Sequence, residues 1–481
     1  MSPLARVRGS GRSRRKPCLA PGADPPLRAQ GIGRVPALDG IRGIAILWVF
    51  AFHANALLIG GLLGPPSGLG QSLAEKGLLG VQLFFVLSGF LLALPWMQAA
   101  ADGLPAPATG PFFRRRTRRI LPAYWLHLAL LFGAVLPLLH GGYGLLATDI
   151  GRANLLLHPL LMQFAHPAAS SSLGLNMALW SLTIEAQFYL LLPLLAPLFT
   201  GLRVLAALPA ALVLSLAWKT YAPELFTDWV YLHTGPALLV FFDPVSGRPV
   251  PFPAESMSMF LVRQLPGEFL AFAFGMAAAN LYCRAGRHGT GVTAGARRGL
   301  GLGALAFLVA APWTLAQLDF QTILGGGHWR YLGMPVFLLG CALLVLAAAL
   351  RAPVIGLVLG NWALAALGAI SYSLYLWHEP VIRLVRVWTS AWDWTGPPTV
   401  QTGTALALAV IAAVSVATLS YALTERRWRS AGAPRSSKTP RCPNSAGGGA
   451  EQPKVPDLSA ARPRIEARIS PDGAIIGQRN S

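Results

Sequence analysis

Runs of roughly twenty apolar residues, separated by shorter polar stretches, recur from residue 41 to residue 423. At about 1.5 Å rise per residue such a run matches the roughly 30 Å hydrocarbon core of a bilayer, so each predicts a membrane-crossing helix. Ten are read, over 41–61, 77–97, 119–139, 177–198, 201–218, 265–283, 299–316, 330–350, 364–386 and 402–423. Two other apolar stretches, 154–165 and 229–242, are too short or too broken to span and predict re-entrant or interfacial segments. The predicted fold is all-α: a polytopic membrane helix bundle of about ten transmembrane helices with no appended soluble domain. Its body covers 35–428, between a basic tail at 1–34 and a Pro-, Ser-, Gly- and Arg-rich tail at 429–481, both predicted to be disordered.

Composition agrees. Hydrophobic residues make up 54% and charged ones 12% of the chain, against about 25% charged in ordinary soluble domains. A net charge of +20 would suggest nucleic acid in a soluble protein, but here the cations sit in tails and in one set of loops. That distribution is the positive-inside pattern and predicts a cell-membrane protein with both termini cytoplasmic, binding no nucleic acid. The inner loops are then 98–118, 199–200, 284–298 and 351–363, with Arg383 and Arg386 as mild exceptions near an outer end.

Several chemistries lack a sequence basis. Cys18, Cys283, Cys341 and Cys442 have no short spacing, so neither a metal knuckle nor a disulfide framework is expected, and no metal is called for. The first thirty-five residues have no apolar core of the kind a signal peptide needs. No phosphate-cradling or dinucleotide glycine motif adjoins a strand, which leaves ATP-driven transport unsupported.

A few polar side chains interrupt the apolar runs, and in a bilayer each needs a reason. Arg42 and His53 are eleven residues apart, which returns a helix to within about 20° of the same face after roughly 16 Å. His53 could be a packing histidine or a base near neutral pH. Arg42 could anchor topology, paired with Asp39 at i−3, or bind an anion. In the fourth run Ser181 and Glu185 share a face, with Phe188 and Tyr189 one turn on; Glu185 is a structural ion-pair partner or the group that orients a catalytic imidazole. Ser371, Tyr375 and His378 form a stripe on a helix that Pro380 is expected to kink. Rise per residue puts His53, Glu185 and His378 at similar depth, and the three could converge. Arg114, Arg115, Arg116, Arg118 and Arg119 form a loop denser in arginine than orientation requires, suited to anionic lipid or to a phosphate-rich ligand. Ser88 is better read as half of a close helix-packing site with Gly89 than as a nucleophile.

Taken in order, the run from Leu38 to Ala45 with His53 downstream, the run from Gly80 to Phe90, Arg115 to Tyr124, Trp180 to Glu185 with Phe188 and Tyr189, Ile370 to His378, and Tyr421 to Glu425 resemble the membrane-bound acyltransferase family 3, O-acyltransferases of sugars and other hydroxyl compounds. The resemblance implies about ten helices and transfer of an acyl group, commonly acetyl, from cytoplasmic acyl-CoA to an acceptor hydroxyl, with no bound cofactor. It implies a catalytic role for His53, an essential Arg42, and donor binding by the arginine loop at Arg115, Arg116 and Arg119. Ser181, Tyr375 and His378 are expected at the pocket, and the acceptor is expected to be a carbohydrate, or a glycosylated or secondary metabolite. Some members carry a fused extracytoplasmic hydrolase-like domain, which this sequence is expected to lack. Trp48 and Phe50 replace the aliphatic residues usual before the histidine and are expected to narrow the pocket. The segment 219–264, with Asp228, His233 and Asp243, is where acceptor selectivity is expected. The competing expectation is a non-enzymatic carrier or exporter whose Arg, His and Glu side chains line a substrate or proton path.

Overall fold

The computed structural model describes residues 35–60, 68–243, 246–287, 292–325 and 327–426. The expected disordered tails lie outside the described residues. The eleven principal helices are α1 (Pro36–Ala54), α2 (Leu79–Ala101), α3 (Thr109–Leu130), α4 (Trp180–Leu195), α5 (Val204–His233), α6 (Leu265–Arg287), α7 (Ala294–Ala316), α8 (Met334–Ala349), α9 (Trp362–Ala369), α10 (Ser371–Ser390) and α11 (Pro398–Thr424). Short turns extend several of them, among them a π-helical turn at Asn55–Ile59 that follows α1 directly.

Eight helices among the described residues have the length and apolarity to cross a membrane, those built on α1, α2, α3, α4, α5, α7, α8 and α11. The chain is a multi-pass membrane protein. The two remaining expected spans are present as helices, with more charge than that apolarity allows. The 23-residue α6 carries Glu268, Arg284 and Arg287. The expected single span 364–386 is divided at Ile370 into α9 and α10, and α10 carries Glu379, Arg383 and Arg386.

Depth in the bundle follows from which residues each helix can afford to expose. α2 is apolar all round and buried along most of its length, which makes it the central helix. It packs lengthwise on α6. The two backbones touch because Gly89 and Gly275 face each other: a Cβ on Gly89 would lie 2.3 Å from the Phe272 carbonyl oxygen, and one on Gly275 2.1 Å from that of Val86. Gly368 of α9 packs against the Asp39 backbone of α1 in the same way, leaving no room for a Cβ. By contrast α5, α7 and α11 leave most of their apolar surface exposed, as lipid-facing helices do. Ser373 of α10 donates to the buried Glu425 at 2.6 Å, which ties α10 to the end of α11.

Three elements depart from expectation. The arginine run is not a loop: α3 starts at Thr109, so the cations occupy its first turns. The fifth helix does not stop at 218 but continues for 30 residues to His233, about 45 Å of helix, longer than a bilayer core. Beyond it Val240–Phe242 pairs antiparallel with Pro249–Pro251, followed by a helix at Ala254–Val262. Phe241, Val250, Met259 and Phe260 of these elements line a cavity in the bundle.

α10 is also not stopped by Pro380. The proline cannot donate to the Leu376 carbonyl. Asn176 takes its place, donating from Nδ2 to that oxygen at 2.8 Å. The stretch leading into α4 holds α10 at two more points: the Ala178 amide donates to Glu379 Oε2 at 3.0 Å, and the Tyr375 hydroxyl donates to the Ala178 carbonyl at 2.6 Å.

Candidate active site

Two neighbouring cavities in the bundle share a wall, with Val81 and Tyr375 lining both. The larger, of about 420 Å³, is lined by His53, Glu379, Arg383, Tyr375 and Arg263, with aromatic walls from Phe52, Phe164, Trp180, Phe241, Phe260 and Phe320. The smaller, of about 110 Å³, is lined by Arg42, Arg116, Arg119, Glu185, Tyr189, Ser88, Ser181, Ser371 and Tyr372. The α1 stripe explains the division: Arg42 enters the smaller cavity and His53, three turns on, the larger.

His53 and His378 meet. His378 Nε2 is 3.2 Å from His53 Nδ1, with the rings edge to face. Their protonation can be assigned from their neighbours. His378 Nδ1 faces the carbonyls of Tyr375 (2.8 Å) and Leu374 (3.2 Å), so it carries the hydrogen and leaves Nε2 an acceptor. His53 Nδ1 faces the Val49 carbonyl at 3.0 Å and the accepting Nε2 of His378, so it too carries the hydrogen. The basic atom of His53 is therefore Nε2, on the cavity side and 3.5 Å from Glu379 Oε2.

Glu379 is the carboxylate of this layer. Its Oε1 accepts from Arg383 Nη2 at 2.7 Å and Nε at 3.1 Å, and its Oε2 accepts from the Ala178 amide. Sequence reasoning assigned the imidazole-orienting role to Glu185 and passed over Glu379. Glu185 does not reach His53; it accepts from Ser88 at 2.9 Å and from Tyr189, in the smaller cavity beside Arg116 and Arg119. The physical reason is facing: Glu185 lies on the α4 stripe with Ser181 and Tyr189, while Glu379 is turned toward the larger cavity by its i+4 pairing with Arg383. That pairing was the available signal, since an acid and a base four residues apart in an apolar run form a helical ion pair.

The remaining expected residues divide between the two cavities. Arg42 pairs with Asp39 at 3.1 Å. Arg116 and Arg119 lie on one face of α3 with Phe112 and Ala123, both buried, and Arg116 sits 5.8 Å over the Phe112 ring. Arg115 is exposed and does not line the cavity. The Ser181 and Tyr375 hydroxyls are 2.6 Å apart in the wall between the cavities. Ser371 lines the smaller cavity and His378 is fully buried behind His53. Trp48 and Phe50 line neither cavity: Phe50 is buried and Trp48 donates to the Leu73 carbonyl at 2.7 Å. From the segment 219–264 Asp243 reaches the larger cavity, while Asp228 and His233 are exposed. Among the described residues no cluster of His, Cys, Asp and Glu is arranged to hold a metal.

Comparison with known proteins places this geometry in a family. A family model described as an acyltransferase domain matches residues 35–424. The chain is 25% identical to a peptidoglycan O-acetyltransferase of Listeria monocytogenes over 73% of this chain and 50% of that protein. It is 28% identical to an acyltransferase of Streptomyces mycarofaciens over 73% of this chain and 79% of that protein. The chain spans about half the length of the first curated relatives it matches. No solved structure matches. With most of its length covered by that model, the chain belongs to the membrane-bound acyltransferase family 3.

Proposed function

We propose that this chain is an O-acyltransferase that moves an acyl group, acetyl in the simplest case, from cytoplasmic acyl-CoA to a hydroxyl of a carbohydrate or other hydroxylated acceptor. The observation that carries the proposal is the pair of cavities with one common wall, lined by arginines on one side and by His53 and Glu379 on the other.

Arg42, Arg116 and Arg119 give the smaller cavity three guanidinium groups, whose planar N–H edges suit phosphate oxygens. Its volume of about 110 Å³ is too small for a whole nucleotide and suits a phosphate or the pantetheine end of the donor. The adenosine end would lie outside, along the start of α3 where Arg114 and Arg115 are exposed. The thioester would then approach the common wall at Val81 and Tyr375. This cavity faces the cytoplasm if the arginine-bearing ends follow the positive-inside rule, which also puts both termini there.

The acceptor occupies the larger cavity, whose aromatic walls and scattered polar groups suit a sugar. Its hydroxyl gives its proton to His53 Nε2 as the oxygen attacks the thioester carbonyl. The carbon–sulfur bond breaks, the acyl–oxygen bond forms, and the proton returns to the departing thiolate to give CoA thiol. Glu379 stabilises the imidazolium that forms, and His378 holds the ring with Nε2 toward the acceptor. Arg383 and the Ala178 amide hold the carboxylate in place.

The test is acetyl transfer by the purified chain in vesicles. CoA thiol should be released only when acceptor is present, and His53→Ala should lower the rate roughly 10²- to 10⁴-fold while the protein stays folded and inserted. Retained transfer by that variant would remove His53 from the chemistry. Transport of acceptor without CoA release would replace the transferase by the carrier.

A further inference from the structure

Arg263 is the cation in the larger cavity that the proposed reaction does not use. It follows the Ala254–Val262 helix and lies with its guanidinium 4.8 Å over the Trp180 ring. A guanidinium over an indole makes a cation–π contact that uses none of its N–H donors. Among the described residues its guanidinium makes no hydrogen bond and no ion pair. Of the neighbouring acids, Glu268 acts on it at a distance and Glu255 lines the same cavity, and neither bonds it. Glu379 is bonded to Arg383 and the Ala178 amide; Glu268 accepts from Gln82 at 2.6 Å and lies 4.0 Å from Lys219; Asp243 caps its own turn by accepting from the Ser246 amide. A guanidinium held in a largely apolar cavity with its donors unbonded is costly to maintain, and an anionic ligand that takes those donors offsets the cost.

We infer that Arg263 reads an oxyanion on the acceptor, a carboxylate or a phosphate, so that the preferred acceptor is an acidic glycan rather than a neutral one. This rests on the larger cavity being the acceptor site. Two parallel N–H···O bonds from the guanidinium would fix one end of the sugar against Trp180 while a hydroxyl elsewhere on it is offered to His53. The indole gives the sugar ring an apolar face beside the charge. Arg263 is thus a specificity-determining residue, and it lies within the segment 219–264.

The experiment compares three acceptors with the full chain in vesicles: a glucuronic-acid-containing disaccharide, its methyl ester, and a phosphorylated disaccharide of the same size. The wild-type chain should show kcat/KM at least roughly tenfold higher for one of the charged acceptors than for the ester, and which one does so identifies the oxyanion. Arg263→Gln should bring that ratio to about one, chiefly through KM, and Arg263→Lys should restore part of it. Equal use of all three acceptors by the wild type, or an Arg263→Gln loss that leaves the ratio unchanged, overturns the inference. Binding of the same compounds to the His53→Ala variant, followed by thermal shift, separates the two layers. Charge-selective binding that vanishes in the double variant, with no transfer by the wild type, keeps the oxyanion site and removes the acyltransferase reading.

Discussion

Glu379 concentrates the chemistry into few atoms. One of its oxygens is bound to Arg383 and the other is shared between a backbone amide and the imidazole face of His53. Replacing it with Gln keeps the shape and removes the charge that would stabilise an imidazolium. Glu379→Gln should therefore lower kcat by roughly 10²-fold, a loss expected of an electrostatic partner in a low-dielectric site. Glu185→Gln should lower kcat by less than about a tenth of that, because its partners are Ser88 and Tyr189 in the other cavity. Steady-state rates of CoA release at saturating substrates compare the two, and an equal loss would return Glu185 to the base's side.

The same pair shows what the sequence makes legible. His53 and His378 were placed at equal depth by counting residues, because helical rise is fixed by backbone geometry. The Glu379–Arg383 spacing marks a helical ion pair but not the face it occupies, since a helix can be rotated about its axis without changing its apolar length. Rotation is decided by contacts such as that of the Ala178 amide with Glu379, which joins positions about 200 residues apart. Arg263 was hidden for a related reason: its neighbour Trp180 lies on a distant helix, and an arginine near the end of a polar segment has no signature of its own.

On the scale of elements, α10 owes its continuity through Pro380 to a residue from another part of the chain. Asn176 supplies the donor that the proline lacks, and the backbone next to it grips Glu379 and Tyr375. Asn176→Ala leaves the Leu376 carbonyl without that bond, which should cost about 1–3 kcal/mol of stability. Thermal unfolding in detergent measures it, and activity should fall with it, since the same stretch positions both Glu379 and the wall tyrosine. An Asn176→Ala chain as stable and active as the parent would show that water replaces the amide at no cost. The division at Ile370 escaped the hydropathy reading because Trp362 to Trp377 contains neither a charge nor a proline, so α9 and the start of α10 read as one run; Gly368 of α9 packs on the α1 backbone, a contact that depends on backbone approach rather than on hydrophobicity.

For the molecule as a whole, the proposed function sets the two substrates in separate cavities and predicts that they arrive from opposite sides. Acyl-CoA does not cross bilayers unaided, so sidedness can be read directly. Acetyl-CoA added outside inverted membrane vesicles should support transfer, and the same addition to right-side-out vesicles should not. Equal activity in both would place donor and acceptor on one side. The helical bundle and its lipid-facing shell were legible from composition alone. The division into cavities was not, because it depends on how α2, α4 and α10 meet around Tyr375.

That wall has a bioenergetic consequence. If the cavities open to opposite sides of a membrane that holds a proton gradient, the Val81 and Tyr375 side chains and the Ser181 hydroxyl form part of the barrier to ion leakage. An acyl group, small and uncharged, could pass such a barrier without carrying charge or leaving a water-filled path behind it. The enzyme would then modify material on the far side of an energised membrane while the membrane stays electrically sealed.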